Sequence, residues 1–440
     1  MSDEVKEVEK RPLSGEACET NITKKPRTET NGKLNDNRCV YLDYNATTPL
    51  DVEVLHTISN TLQHAWGNPS SKSKPGIEAA KAVAVARQQV SEMIQAIPND
   101  IVFTSGGTES NNLVLHTALK HFQKTHPESS DMKPHFITSN IEHDAVKLVL
   151  EHYKEEYEAE VTYVPVSHNT GAVEVQGVLD AIKSNTCLIS IMLANNETGV
   201  IQPVQEICER VRSLPQYSSI LLHTDAAQAI GKIEVSVRSL PVDYLTIVGH
   251  KFYGPRIGAL YFRSSKTPEQ ASAPLYPMFF GGGQERNYRP GTENTGMIAG
   301  LGKACYLVTK NLENYAKHMR ELRSYFESKL RSVYGERLHI NGKFTESERL
   351  PNTSNVSIEG MHLKGSDVLR NCQCTQASVG AACHSATKFC VSSILTATGI
   401  PEHIAANAMR FSMGRETTMD DIDTVIFDIV KAIKAIDAHS

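Results

Sequence analysis

Between residues 100 and 249, six short apolar runs alternate with longer amphipathic segments, and no other feature of the chain restricts its fold as strongly. The runs "DIVFTS" (100–105), "HFITSN" (135–140), "VTYVPV" (161–166), "CLISIMLA" (187–194), "ILLHTD" (220–225) and "YLTIVG" (244–249) read as buried strands. Segments 109–124, 142–156 and 204–214 carry apolar residues at helical spacing. Strand and helix in turn predict an α/β domain built on a largely parallel sheet covered by helices. Loops that follow such strands face one way, so ligand chemistry is expected to gather there.

A helical stretch from about Thr292 to Tyr334 comes next, with Gly335 as its stop. The chain then restarts as a smaller α+β unit, in which "LHI", "NTSNVSIEG" and "MRFSMG" read as strands. Its last helix opens at Thr418 with Asp421 three residues on, and sets Ile422, Val425, Ile429, Ile433 and Ile436 on one face. The expected organisation is a disordered polar tail over 1–37, a large domain over 38–290, a connecting helix region over 291–335 and a small C-terminal domain over 336–440. The tail lacks the apolar core of a secretory signal and is too acidic for a transit peptide, which points to the cytosol. Its "KKPR" reads as a solvated charge cluster before an import signal. No apolar run approaches bilayer length, and a net charge of -5 gives no reason to expect nucleic acid or an anionic membrane as partner.

Nine cysteines are spread thinly over the 440 residues, and reduced thiols are the default without a secretion signal. Cys372, Cys374, Cys383 and Cys390, with His384, nevertheless fall within nineteen residues. A reducing compartment argues against a disulfide knot, and the spacing is not that of paired CxxC zinc sites, so no metal is expected. A nucleophile on a loop remains, and Gly380, Ala381 and Ala382 leave that loop little to anchor it.

Three upstream features belong together. His250 and Lys251 follow a strand end in "TIVGHKFYGP", Asp225 ends "ILLHTD", and Gly106-Gly107-Thr108 lead from a strand into a helix. Lys251 alone would read as a surface charge, and Asp225 would be costly to bury without a cationic partner. The glycine turn offers N–H groups to a phosphate but is neither a P-loop nor GxGxxG. Amine, acid and phosphate turn together suit pyridoxal 5'-phosphate: a Schiff base, a partner for the pyridine nitrogen and an anion cradle.

The succession "YLDYNATTP", "TSGGTESNN", "EHDAV", "ANNETG", "HTDAAQ", "GHKFYGP", "GGGQERNYRPGTEN", "GAACHS" and "RFSMGR" resembles the NifS-like, class V aminotransferase-type enzymes from about residue 39 to the end. Cysteine desulfurases and selenocysteine lyases share most of these motifs, and "TIVGHKFYGPRIGALY" with "ASVGAACHS" most resembles the animal selenocysteine lyases. The resemblance implies PLP-dependent transferase fold type I and cleavage of L-selenocysteine to L-alanine plus selenide or elemental selenium. It makes Lys251 the Schiff-base lysine and proton carrier, Asp225 the partner of the pyridine nitrogen and Gln228 that of the ring's 3'-oxygen. His143 stacks on the ring, with helix capping as the plainer reading, and Asn196 lies near ring oxygen and substrate. Gly107, Thr108 and His250 hold the phosphate, while Thr292 reaches the phosphate of a neighbouring subunit, which implies a homodimer with shared sites. Arg410 clamps the substrate carboxylate, and Arg415 is a structural or surface charge.

Cys383 matches the family's catalytic thiol and meets the leaving selenium as nucleophile or proton donor; the other clustered thiols are spare. A selenophosphate synthetase is the implied selenium acceptor. Two positions depart from the desulfurase pattern. Val248 stands where a serine often donates to the phosphate, and Asp144 follows His143 as a mark of selenium specificity or a helix-start acid. A cysteine desulfurase, an aminotransferase of the same fold and a zinc-binding interaction protein are the competing readings.

Overall fold

The computed structural model describes residues 39–127, 132–264, 272–380 and 391–439, so the tail over 1–37 and Cys383, His384 and Cys390 lie outside the described residues. The chain opens with β1 (Val40–Tyr41), α1 (Val52–His64) and α2 (Lys74–Met93). An alternating stretch follows: β2 (Ile101–Thr104), α3 (Gly107–Thr125), β3 (His135–Ser139), α4 (Asp144–Tyr157), β4 (Glu160–Val164), α5 (Val175–Asp180), β5 (Thr186–Ser190) and α6 (Val204–Arg212). Strands β6 (Leu221–Asp225), β7 (Tyr244–Val248) and β8 (Gly258–Phe262) complete a seven-stranded sheet of order β2-β8-β7-β6-β5-β3-β4.

The sheet is parallel from β7 through β4, and β8 is antiparallel to both its neighbours. Strand β8 escapes sequence reading because "GALYF" is a short unbroken apolar run with no period of its own. Successive residues along each strand face opposite sides, so one strand feeds two cores. Ile137, Ile189, Leu222 and Leu245 pack on one face with α2, α6 and the first half of a long helix, α7 (Thr295–Tyr334). Phe136, Leu188, Leu221 and Tyr244 pack on the other with α3 and α4. The run expected over 187–194 leaves strand geometry after Ser190, and its continuation lines the site.

Helix α7 spans 40 residues, about 60 Å at 1.5 Å per residue. Its first half belongs to the sheet core, whereas Leu322, Phe326 and Leu330 belong to a third core. Gly335 stops it at φ 55°, in the left-handed region a side chain disfavours. The third core includes β9 (Leu338–Ile340), β10 (Thr353–Ile358), α8 (Gly365–Asn371), β11 (Thr375–Gln376), and, after the short helices α9 (Ser393–Ala397) and α10 (Glu402–Ala405), β12 (Ala408–Ser412) and α11 (Met419–His439). Thr418 and Asp421 form the expected reciprocal cap, at 2.9 and 3.2 Å, and Ile422, Val425, Ile429 and Ile433 are buried. Val40 and Leu42 join this same core, because β1 pairs in parallel with β11. Among the described residues no helix is long and apolar enough to cross a membrane.

Asp428 on α11 pins the approach to β11. Its carboxylate accepts from the N–H groups of Gln373, Cys374 and Thr375 at 2.9, 3.0 and 2.9 Å, and from the Thr375 hydroxyl at 2.7 Å. Burial alone would raise this carboxyl, but the donors outweigh it and hold it below the ordinary aspartate value. Asp428→Ala is expected to lower the unfolding free energy by about 3 kcal/mol, measured by urea denaturation. A depressed folded-state pKa stabilises above the unfolded value and is lost as pH falls through the folded one, so the gap between wild type and variant narrows in acid.

Candidate active site

The carboxyl ends of β2, β3, β5, β6 and β7 open onto one cavity of about 290 Å³. Lys251, Asp225, Gln228, His143 and Asn196 line it, as do Gly107, Thr108, His250 and Arg410. Residues drawn from 107 to 410 thus meet in one place. Asp144 and Thr292 do not line the cavity: Asp144 begins α4, and Thr292 is exposed ahead of α7.

Lys251 closes a short turn directly after β7, and its Nζ donates to the carbonyls of Asn45 and Ala46 at 2.8 and 2.9 Å. Asp225 ends β6 and is buried, with Oδ1 accepting from the Ala227 N–H at 2.9 Å and Oδ2 from Asn111 Nδ2 at 2.8 Å. The Thr246 hydroxyl donates to Asn111 Oδ1 at 2.7 Å, which fixes which end of that amide faces the carboxylate. His223 sits behind, between Ser190 Oγ at 2.8 Å and Thr246 Oγ1 at 3.1 Å, and burial pushes it down to about 4. A neutral imidazole there leaves the Asp225 charge for whatever occupies the cavity.

Gly107 and Thr108 form the first turn of the 19-residue helix α3. That N-terminus presents unsatisfied N–H groups and the positive end of the helix dipole. A Cβ at Gly107 would stand 2.6 Å from Val248 Cγ2, so the close approach requires glycine. Val248 therefore brings a methyl to the cavity wall beside the start of α3. His250 Nδ1 lies 3.1 Å from Thr47 Oγ1. Burial, with the charges of Lys251, Arg256 and Lys232, pushes it down to about 4.

His143 is the N-cap of α4, and its Nδ1 accepts from the Ala145 N–H at 3.0 Å. The capping role and a place in the cavity wall coexist, and that bond leaves the proton of the neutral ring on Nε2. Arg410 on β12 is 2 % exposed. It donates from Nη2 to Asp43 Oδ1 at 2.6 Å and from Nη1 to the Asn196 carbonyl at 3.1 Å. Asn196 Oδ1 is buried with no hydrogen-bond partner among the described residues, a position a ligand donor would satisfy. Arg415 is no surface charge: its guanidinium is buried between the rings of Tyr253 and Tyr315, 4.3 and 3.8 Å from their centroids.

Sequence reading missed Asn45 and Asn111. Asn45 ties the site together, donating to the Asn196 carbonyl at 3.3 Å and Thr353 Oγ1 at 2.8 Å while its own carbonyl receives Lys251. Asn111 carries a readable signal, since it lies one turn beyond Gly107 and Thr108 on the same helix face. Cys372 and Cys374 are half-buried and do not line the cavity. Burial and Asp428 push their thiols up to about 12 and about 11, far from a reactive thiolate at neutral pH.

Residues 40–425 match the class-V aminotransferase family. The selenocysteine lyase of Bos taurus is 51% identical, over 92% of this chain and 95% of its own. That of Rattus norvegicus is also 51% identical, over 91% of this chain and 96% of its own. A cysteine desulfurase IscS of Dictyoglomus turgidum reaches 38% over 90% and 94%. Among solved structures, a NifS-like protein superposes with a TM-score of 0.79 at 34% identity, covering 90% of this chain and 99% of that one. From its matched residues, its fold and the cavity at the strand ends, the chain belongs to the class-V aminotransferase family.

Proposed function

We infer that this protein is a selenocysteine lyase that splits L-selenocysteine into L-alanine and selenium, with pyridoxal 5'-phosphate as cofactor. One observation carries the reading: the Lys251 amine, the Asp225 carboxylate and the N-terminus of α3 converge on one cavity, in a chain 51% identical to selenocysteine lyases. The residues present fit that cofactor. The amine is at hand, the buried carboxylate is held by two donors, the helix terminus tolerates no side chain at Gly107, and Asn196 Oδ1 awaits a donor. The desulfurase relatives at 38% support the sulfur alternative less well.

When bound, the cofactor supplies an electron sink for the substrate's α-carbon. Lys251 would hold it through Nζ and would serve as the base for the substrate's α-proton. Asp225 would keep the pyridine nitrogen protonated, its carboxylate held in orientation by the Asn111 amide and the Ala227 N–H. Gln228 would serve the ring oxygen and His143 a ring face, both from the cavity wall. Gly107, Thr108 and His250 would hold the phosphate; Thr292, exposed at the surface, would serve the site of a second copy in a homodimer. Arg410 receives the substrate carboxylate, with Asp43 holding one arm of its guanidinium. Cys383 would meet the selenium either as a nucleophile, forming an S–Se bond as the Cβ–Se bond breaks and its electron pair returns to Cβ, or as a proton donor to the leaving atom, with a cytosolic selenophosphate synthetase as the acceptor. A selenol is ionised at neutral pH where a thiol mostly is not, so the two substrates require different proton inventories at the leaving atom.

Incubating the loaded protein with L-selenocysteine and quantifying products tests the reading. Alanine and selenium are expected in equal amounts. An α-keto acid formed in place of alanine would establish transamination and overturn it.

A further inference from the structure

Lys232 follows β6 in the chain, and no step above uses it. It is 4 % exposed, and its Nζ donates to the Gln228 carbonyl at 2.9 Å and to Gln228 Oε1 at 3.1 Å. Burial first, then the charges of Lys251 and Arg410, pushes its ammonium down to about 7. A methionine would fill similar space without that desolvation cost. The two ends of an amide have nearly the same shape, and hydrogen bonding decides which one faces a ligand. With Oε1 held by Lys232, Gln228 Nε2 turns the other way and donates to the Asn45 carbonyl at 3.0 Å. That carbonyl also receives Lys251 Nζ at 2.8 Å, and both Gln228 and Lys251 line the cavity.

We propose that Lys232 is a positioning residue that fixes the Gln228 amide with its nitrogen end toward the cofactor's ring oxygen, and so sets how tightly the Lys251–cofactor adduct holds its proton. This rests on the reading of Gln228 and Lys251 given above. A donor at the ring oxygen stabilises negative charge there and weakens the adduct's hold on its proton. The other groups around the adduct that carry or can take charge are Asp225 at the end of β6, His143 at the start of α4, His250 beside it and Arg410 on β12.

The test loads wild type, Lys232→Met, Gln228→Leu and the double variant with pyridoxal 5'-phosphate, and titrates visible absorbance against pH without substrate. Lys232→Met is expected to raise the midpoint by about one unit, a tenfold gain in proton affinity. Gln228→Leu raises it as well, and the double variant goes no further than the larger single change. Lys232→Gln, with the same expected direction, replaces the methionine variant should that fail to fold. An unmoved midpoint at full cofactor loading, or shifts that simply add in the double variant, overturns the proposal. A wild-type protein that takes up no cofactor overturns the reading of Lys251 instead.

Discussion

Lys251→Ala is expected to abolish alanine formation from L-selenocysteine, by ~10⁴-fold or more, because it removes the proton carrier and the covalent anchor together. The nearby amine of Lys232 does not replace it, since both oxygens of Gln228 hold that side chain. The substitution removes two hydrogen bonds to the carbonyls of Asn45 and Ala46 but creates no buried charge, so the fold persists. Single-turnover alanine formation checks the loss, and the visible band of the lysine-linked cofactor is expected to vanish with it. An unchanged melting temperature separates lost chemistry from lost structure.

Asp225→Asn is expected to lower kcat by ~10²–10³-fold while leaving the protein folded, a range set by removing one preorganised electrostatic contact. The carboxylate is buried, and each of its oxygens accepts from a fixed donor, Asn111 Nδ2 on one side and the Ala227 N–H on the other. An amide at this position turns a donor toward one of these donors and carries no charge toward a pyridine nitrogen. The neutral His223 behind the site supplies no compensating charge. Steady-state kinetics with saturating cofactor measure the effect, and a kcat within threefold of wild type would remove Asp225 from the mechanism.

The layer architecture was legible because strands β2, β3, β5, β6 and β7 are buried on both faces and therefore read as continuous apolar runs, with half-buried β4 at the edge. Strand β8 was not, since nothing local distinguishes "GALYF" from any short apolar segment, and its antiparallel place depends on β2 and β7. Helix α2 was missed for a related reason: its buried face is largely Ala79, Val83, Ala86 and Val90, and alanine gives a weak periodic signal. Lys251, Asp225 and Gly107 stood out as residues at strand or helix ends, where motifs are compact. Asn45 acts through a partner 206 positions away, a pairing that leaves no local trace, whereas the partner of Asn111 lies 114 positions away and only its place one turn beyond Gly107 and Thr108 marks it. The burial of Arg415 between two tyrosines was likewise invisible, because Tyr253 and Tyr315 come from separate parts of the chain.

Selenium preference is tested most directly by one comparison of substrates. The purified, cofactor-loaded protein is given L-selenocysteine and L-cysteine separately under saturating conditions, and alanine release is measured for each. Turnover of L-selenocysteine is expected to be at least ~100-fold faster, the difference arising at the leaving atom, where one substrate is already ionised and the other is not. Comparable rates for the two amino acids would contradict it and make the protein a cysteine desulfurase.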